Sequence, residues 1–319
     1  MNASIRLFTD GDYAPVVALS NRVYPEYPET EGEWRYRDAH REAKIRHARW
    51  VAEGDGMVLG CASHDQWEST YHPQRFSVDV LVDPAYRRRG IGTRLYDVVV
   101  DALRVFDPIG LRAGTREDMT DGVRFVERRG FEECMRSWES RLDLAAFDPQ
   151  AFEAEVARGL SGGLRVATLA DLANDQDRER KLFALVDTVA RDVPSPDEHT
   201  RPDFDAWCDR LFGNPNLIPE LYTVAVDGNR YVALTNMWAS QADPREVYTG
   251  LTGTLPEYRR RGLATAIKVA TLATAKELGY RVTKTWNATI NEGMLAINAR
   301  LGFVRQPAWI EFAKALSPS

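Results

Sequence analysis

Apolar positions along this chain switch between strand-like and helix-like periods, and they do so in one order twice. Ile5–Thr9 reads as a short strand. A helix follows from Asp12 to about Asn21, with apolar residues at helical spacing, and then a strongly charged helix over Trp34–Lys44. Ala48–Ala52 and Met57–His64 read as strands joined by Glu53-Gly54-Asp55-Gly56, a hairpin signal. Phe76–Val82 alternates and then becomes continuously apolar, as expected of a strand buried on both faces. Gly92–Phe106 carries Leu95, Val98, Val99, Ala102 and Leu103 on one helical stripe. A strand Leu111–Gly114, a helix Gly122–Arg129 and closing strands over Phe131–Leu142 complete the series.

A helix over Pro149–Arg158 and the linker-like Ser161-Gly162-Gly163 precede the second series. It runs strand Leu164–Thr168, helices Asp177–Ala190 and Phe204–Phe212, and a hairpin from Leu221–Ala225 to Arg230–Ala239 around Asp227-Gly228-Asn229. Strand Val247–Thr254, helix Leu263–Leu278, strand Arg281–Trp286, helix Glu292–Leu301 and a closing stretch Phe303–Ala313 follow. The expected class is α/β (α+β): two tandem domains, each a mixed central sheet flanked by helices. They are expected at residues 1–145 and 164–319, with a linker helix over 146–163.

Identity at fixed spacing makes this a duplication. Pro84-Ala85-Tyr86-Arg87-Arg88-Arg89-Gly90-Ile91-Gly92-Thr93 returns as Pro256-Glu257-Tyr258-Arg259-Arg260-Arg261-Gly262-Leu263-Ala264-Thr265, with seven of ten positions identical at an offset of 172. Gly130-Phe131 and Gly302-Phe303 keep the same offset, whereas Arg6 and Arg165 stand 159 apart. The second copy therefore gains 13 residues before the shared tract, expected in the Asp192–Thr200 loop, where a substrate pocket would differ.

Composition narrows the function classes. The chain has 319 residues, 44% hydrophobic and 28% charged, with a net charge of −6. An acidic balance argues against a general nucleic-acid or membrane-surface binder and makes the Arg triplets local features. Cys61, Cys134 and Cys208 are odd in number and far apart, with no metal-ligand spacing, so neither disulfides nor a metal site is expected. No targeting leader or membrane span is read, and a cytoplasmic monomer or homodimer is the expectation.

Each Arg-rich tract falls where a strand ends and a long helix begins. Gly90 and Gly262 let the backbone turn tightly and approach a ligand; Gly92 and Ala264 keep the helix start open. Consecutive amides and the helix dipole would then favour an anion, with the guanidiniums and Thr93 or Thr265 adding donors. Neither a Walker loop nor a dinucleotide-binding Gly-x-Gly-x-x-Gly is present. A solvated helix cap is the bland alternative for one such tract, and repetition at fixed spacing counts against it.

These residues resemble the GNAT acetyltransferase superfamily. Its motif V-x-P-x-[YF]-[RQ]-x-x-G-x-[GA] matches Val82 through Gly92 and, with Thr254 in place of Val, Thr254 through Ala264. Its later element is matched by Asn291, Asn298, Leu301, Gly302 and Phe303, and by Gly130-Phe131 alone in the first copy. The layout is similar to mycothiol synthase-like tandem acetyltransferases. The resemblance implies acetyl-CoA as co-substrate, its pyrophosphate on Arg87–Thr93 and Arg259–Thr265. It places the pantetheine beside Val80, Leu81 and Val82, or Thr252, Gly253 and Thr254, with Asn287 and Asn291 near that arm in the second copy.

The reaction implied is transfer of acetyl to the amine of a small molecule by direct attack on the thioester. The slot where many members carry an acid Tyr holds Val126 and Asn298. Asp79, within the first copy's cofactor strand, and Glu246, just before the second's, are the candidate bases, with Asn298 as a further catalytic candidate. His64 and His72 could border the first cleft, and Trp286 and Trp309 read as core or pocket wall. Retention of Asn291 and Asn298 favours the second copy as catalytic, the first binding CoA or acting as scaffold. The competing class is a non-catalytic acyl-CoA-binding or regulatory protein.

Overall fold

The computed structural model describes residues 3–316; the outermost ends of the two expected domains, residues 1–2 and 317–319, lie outside the described residues. The chain folds into two compact units, and neither follows the expected domain boundaries. The first comprises Met1–Arg136, Pro196–Pro202 and Trp309–Ser319; the second comprises Ser137–Ser195 and Asp203–Ala308.

In the first unit, strands β1 (Ser4–Leu7), β2 (Ala48–Gly54), β3 (Met57–Asp65), β4 (Arg75–Val82) and β5 (Gly110–Arg116) lie in that order. The β2–β3 turn is the two-residue loop Asp55-Gly56, both with positive φ, which matches the twist of the flanking strands. Helices α1 (Tyr13–Val23) and α2 (Glu31–Ala39) precede β2. The charged helix thus starts three residues before the expected Trp34, because Thr30 and Glu33 form a capping box. Helix α3 (Ile91–Leu103) buries Leu95, Val99 and Leu103 against Phe76, Val78 and Leu111. Helix α4 (Thr120–Glu127) follows β5.

Strand β6 (Glu132–Asp143) begins in the first unit, but its residues 137–143 belong to the second. Helix α5 (Glu153–Gly159), β7 (Arg165–Thr168), α6 (Arg178–Ala190) and α7 (Phe204–Phe212) come next. They are followed by β8 (Leu217–Asp227), β9 (Arg230–Ala239), β10 (Glu246–Thr254), α8 (Leu263–Glu277), β11 (Val282–Ala288) and α9 (Glu292–Arg300). Glu246 is therefore the first residue of its strand. The strand order in this unit is β6-β11-β10-β9-β8-β7. The expected linker helix is part of the fold: Gly159 stands so close to α8 that a Cβ there would meet Gly262 O and Ala266 Cβ at 2.8 Å.

The closing stretch is two strands, β12 (Val304–Arg305) and β13 (Trp309–Ala315). Strand β13 pairs antiparallel with β5, in the first unit, with Ala313 opposite Arg112. Strand β6 pairs antiparallel with β11, in the second, with Arg141 opposite Lys284. Each of these partners stands 172 residues from its counterpart, so the two copies have exchanged their closing strands in the same register. The inserted segment behaves likewise: Asp197 lies in the first unit and pairs there with Arg75 and Arg112 at 2.5 and 2.8 Å.

Candidate active site

In the first unit β4 and β5 run parallel but pair only from Arg75–Ser77 to Gly110–Arg112. Beyond Ser77 the strands separate, so the β5-facing edge of β4 has no strand partner through Val82. The second unit repeats the feature: β10 and β11 pair only from Glu246–Tyr248 to Val282–Lys284. Each opening leads to the start of a helix, α3 or α8, where the first-turn amides have no acceptor within the helix.

Backbone geometry at those starts is the same in both copies. Gly90 and Gly262 are the N-caps, with φ of 79° and 84°. Two residues earlier Arg88 and Arg260 also have positive φ, 63° and 59°. A side-chain-bearing residue held in that region in both copies is backbone strain retained at matching positions. A Cβ on Gly90 would meet nothing within 4 Å, so the space above the α3 amides is open to a ligand. The residues present therefore fit a pyrophosphate. Arg87 and Arg259 are oriented elsewhere: each donates to the carbonyl that ends its strand, Val82 O at 3.2 Å and Thr254 O at 3.1 Å. They brace the strand-to-helix turn.

The first opening widens into a cleft of about 580 Å³. Of the expected cofactor residues, Val80, Val82, Arg87, Arg88 and Gly90–Thr93 line it. Leu81 instead packs in the cluster beneath α1, and Arg89 donates to Ala85 O. Strand alternation gives the cleft two chemically distinct sides. Val78, Val80 and Val82 pack on the cluster under α3, whereas Asp79 faces the side of Tyr24, the residue that caps α1. Asp79 is open to the cleft, yet the surrounding walls displace bulk water and push its carboxyl above the usual carboxylate range; the Val80 amide offsets part of this. Tyr24 is likewise raised by burial and by the nearby Asp79. Trp309 packs 5.6 Å from both Tyr24 and Tyr27 by ring centroids, and of the three only Tyr24 lines the cleft. Arg116 is held by Glu26 and Asp118 at 2.7 and 2.8 Å beside the same rings.

The second unit's candidates have local duties. Glu246 pairs at 2.6 Å with Lys284, which is only 2% exposed, so its carboxylate neutralises a buried cation. Asn291 caps α9, accepting from Met294 N at 3.2 Å. Asn298 is buried and donates to Asn287 at 2.7 Å, its own Oδ1 lacking a partner. Thr252 bonds Thr235, Gly253 is faced by the Val189 side chain, and Arg261 stacks over Tyr258. Leu263 is core, while Ala264 and Thr265 are half-buried at the α8 start.

Pattern reading missed Tyr24, Tyr27 and the polar heads on the helix stripes. Tyr96 of α3 and Lys268 of α8 stand at the repeat offset, both buried, and burial lowers the Lys268 ammonium to about 8. A lysine inside an apolar stripe was the available signal. His64 is core, 3% exposed among Trp50, Phe76 and Phe106. Among the described residues there is no group of three or more metal-ligating side chains, and no helix long and apolar enough to cross a membrane.

The acetyltransferase (GNAT) family model matches the chain twice, over residues 14–131 and 182–303. Mycothiol acetyltransferase of Geodermatophilus obscurus is 25% identical over 277 residues, covering 82% of this chain and 80% of that protein. The Salinispora arenicola mycothiol acetyltransferase is 26% identical over 287 residues, covering 88% and 85%. A solved tandem GNAT protein from the clavulanic acid biosynthesis pathway has the same fold, with a TM-score of 0.76 over 100% of both chains at 20% identity. The duplicated cradle, the separating strands and these likenesses agree, and the chain belongs to the acetyltransferase (GNAT) family as a tandem member.

Proposed function

We propose that this protein is an acetyl-CoA-dependent N-acetyltransferase acting on a small-molecule amine, with the N-terminal cleft as the site of transfer. The observation that carries the reading is Asp79, a carboxylate with a raised proton affinity that opens into the same cleft as the Gly90 cradle. This choice is proposed in place of the second copy, since Glu246 and Asn291 are each engaged within their own unit. The second cradle, Arg260–Thr265, is proposed as a further CoA-binding site.

In this reading the α3 amides and Arg88 hold the pyrophosphate, and the apolar wall of Val80 and Val82 receives the pantetheine. CoA supplies an activated acetyl thioester. Asp79 accepts the proton that leaves the attacking nitrogen, a role favoured by its raised proton affinity. The β5-facing edge of β4 beyond Ser77, which has no strand partner, offers backbone amide donors for the carbonyl oxygen as negative charge develops there. The Tyr24 ring, which lines the cleft, gives the acceptor an apolar wall.

A second reading, non-catalytic acyl-CoA binding, is supported by Val126 and Asn298, neither of which is an acid. Thiol release from acetyl-CoA over a panel of amino sugars, amino acids and diamines separates the two. Amine-dependent release supports the enzyme; CoA binding with no release above background supports the sensor.

A further inference from the structure

Tyr96 is a buried phenol whose hydroxyl has no hydrogen-bond partner, although it lines the N-terminal cleft. It is 8% exposed, and its ring meets Phe125 and Phe131 edge-on at 6.1 and 6.3 Å. These aromatics bracket Val126, the position that lacks an acid. A buried hydroxyl left without a partner costs stability unless something else uses it. We propose that Tyr96 is the proton donor to the departing CoA sulfur, taking from helix α3 the role that Val126 cannot fill. This inference rests on the acetyltransferase reading above.

The two sides of β4 organise the step. Asp79 faces the α1 side, and Tyr96 lies on the α3 side with Val80 and Val82. As the C–N bond forms, the nitrogen proton passes to Asp79. As the C–S bond breaks, its electron pair stays on sulfur and the Tyr96 proton follows. The products are the N-acetylated amine and CoA thiol, and solvent returns the Asp79 proton to Tyr96. Arg129 lies 4.9 Å from the Tyr96 ring centroid and donates to Phe125 O and Thr93 Oγ1. Its charge opposes the upward effect of burial on the phenol and stabilises the tyrosinate formed in the step. In the other copy Lys268 occupies the matching position, 5.4 Å from Phe303, the counterpart of Phe131. A proton-bearing group therefore recurs on this helix in both copies.

Tyr96→Phe keeps the ring and removes the unpartnered hydroxyl. Its Tm is expected to equal or exceed that of the parent, whereas a structural hydroxyl would lower it. kcat for thiol release should fall about 100-fold, with KM for acetyl-CoA little changed. By calorimetry the parent should bind CoA about fivefold more tightly than desulfo-CoA, the scale of one hydrogen bond, and Tyr96→Phe should erase that preference. Parental kcat in Tyr96→Phe, or an unchanged CoA preference, overturns the assignment and leaves the enzyme reading intact. Absence of thiol release from the parent with any amine overturns both.

Discussion

Single side chains in this protein carry opposed demands of stability and chemistry. Because the fold raises the proton affinity of Asp79, its protonated form is favoured by folding. That contribution is present in acid and lost as pH rises through the raised value. Asp79→Asn is therefore expected to raise Tm at neutral pH while lowering kcat by at least about 100-fold. In the parent, kcat should climb with pH through the Asp79 ionisation, and that limb should vanish in the variant; a pH–rate profile with thermal melts at each pH checks both. Substitution of Glu246 should instead be destabilising. Glu246→Gln removes the 2.6 Å ion pair with the buried Lys284 and should lower the stability read by urea unfolding.

At the level of elements, the strand-to-helix junction is the unit that was duplicated. Its geometry survives in both copies down to the positive φ at Arg88 and Arg260, although the chemistry around it has diverged. Gly90→Glu forces a side chain into a conformation that costs roughly 1–2 kcal/mol and sets a carboxylate among the cradle amides. Calorimetric CoA affinity at that site should fall at least about tenfold. The matched Gly262→Glu should remove the second binding event and reduce thiol release less. The cradle was legible because a Gly after an Arg triplet, at a helix start, appears twice at one spacing. Tyr24, Tyr27 and Trp309 were not: they come together only through β13, and no local period connects residue 24 with residue 309. The duties of Glu246 and Asn291 were hidden for the same reason, since their partners are set by strand register and helix capping.

At the scale of the whole chain, the repeat, the fold class and the order of elements could be read directly, whereas the composition of each unit could not. Strands β6 and β13 occupy equivalent repeat positions, so pattern alone gives each the same claim on either sheet edge. Deleting residues 309–319 is expected to unfold the first unit, because Ile310 and Phe312 are buried with Phe76 and Leu111. Loss of those two side chains alone removes roughly 3–6 kcal/mol of apolar burial. Loss of CoA binding at the N-terminal cleft, with recovery on adding a peptide of residues 309–319, would verify this; a folded, CoA-binding truncation would refute it. The exchange also bears on heredity. Substitutions in the last strand bear on the first unit, and substitutions in residues 137–143 on the second. Neither copy can decay into a pseudodomain without spoiling its sibling, which gives a chemically diverged duplicate a reason to persist in the gene.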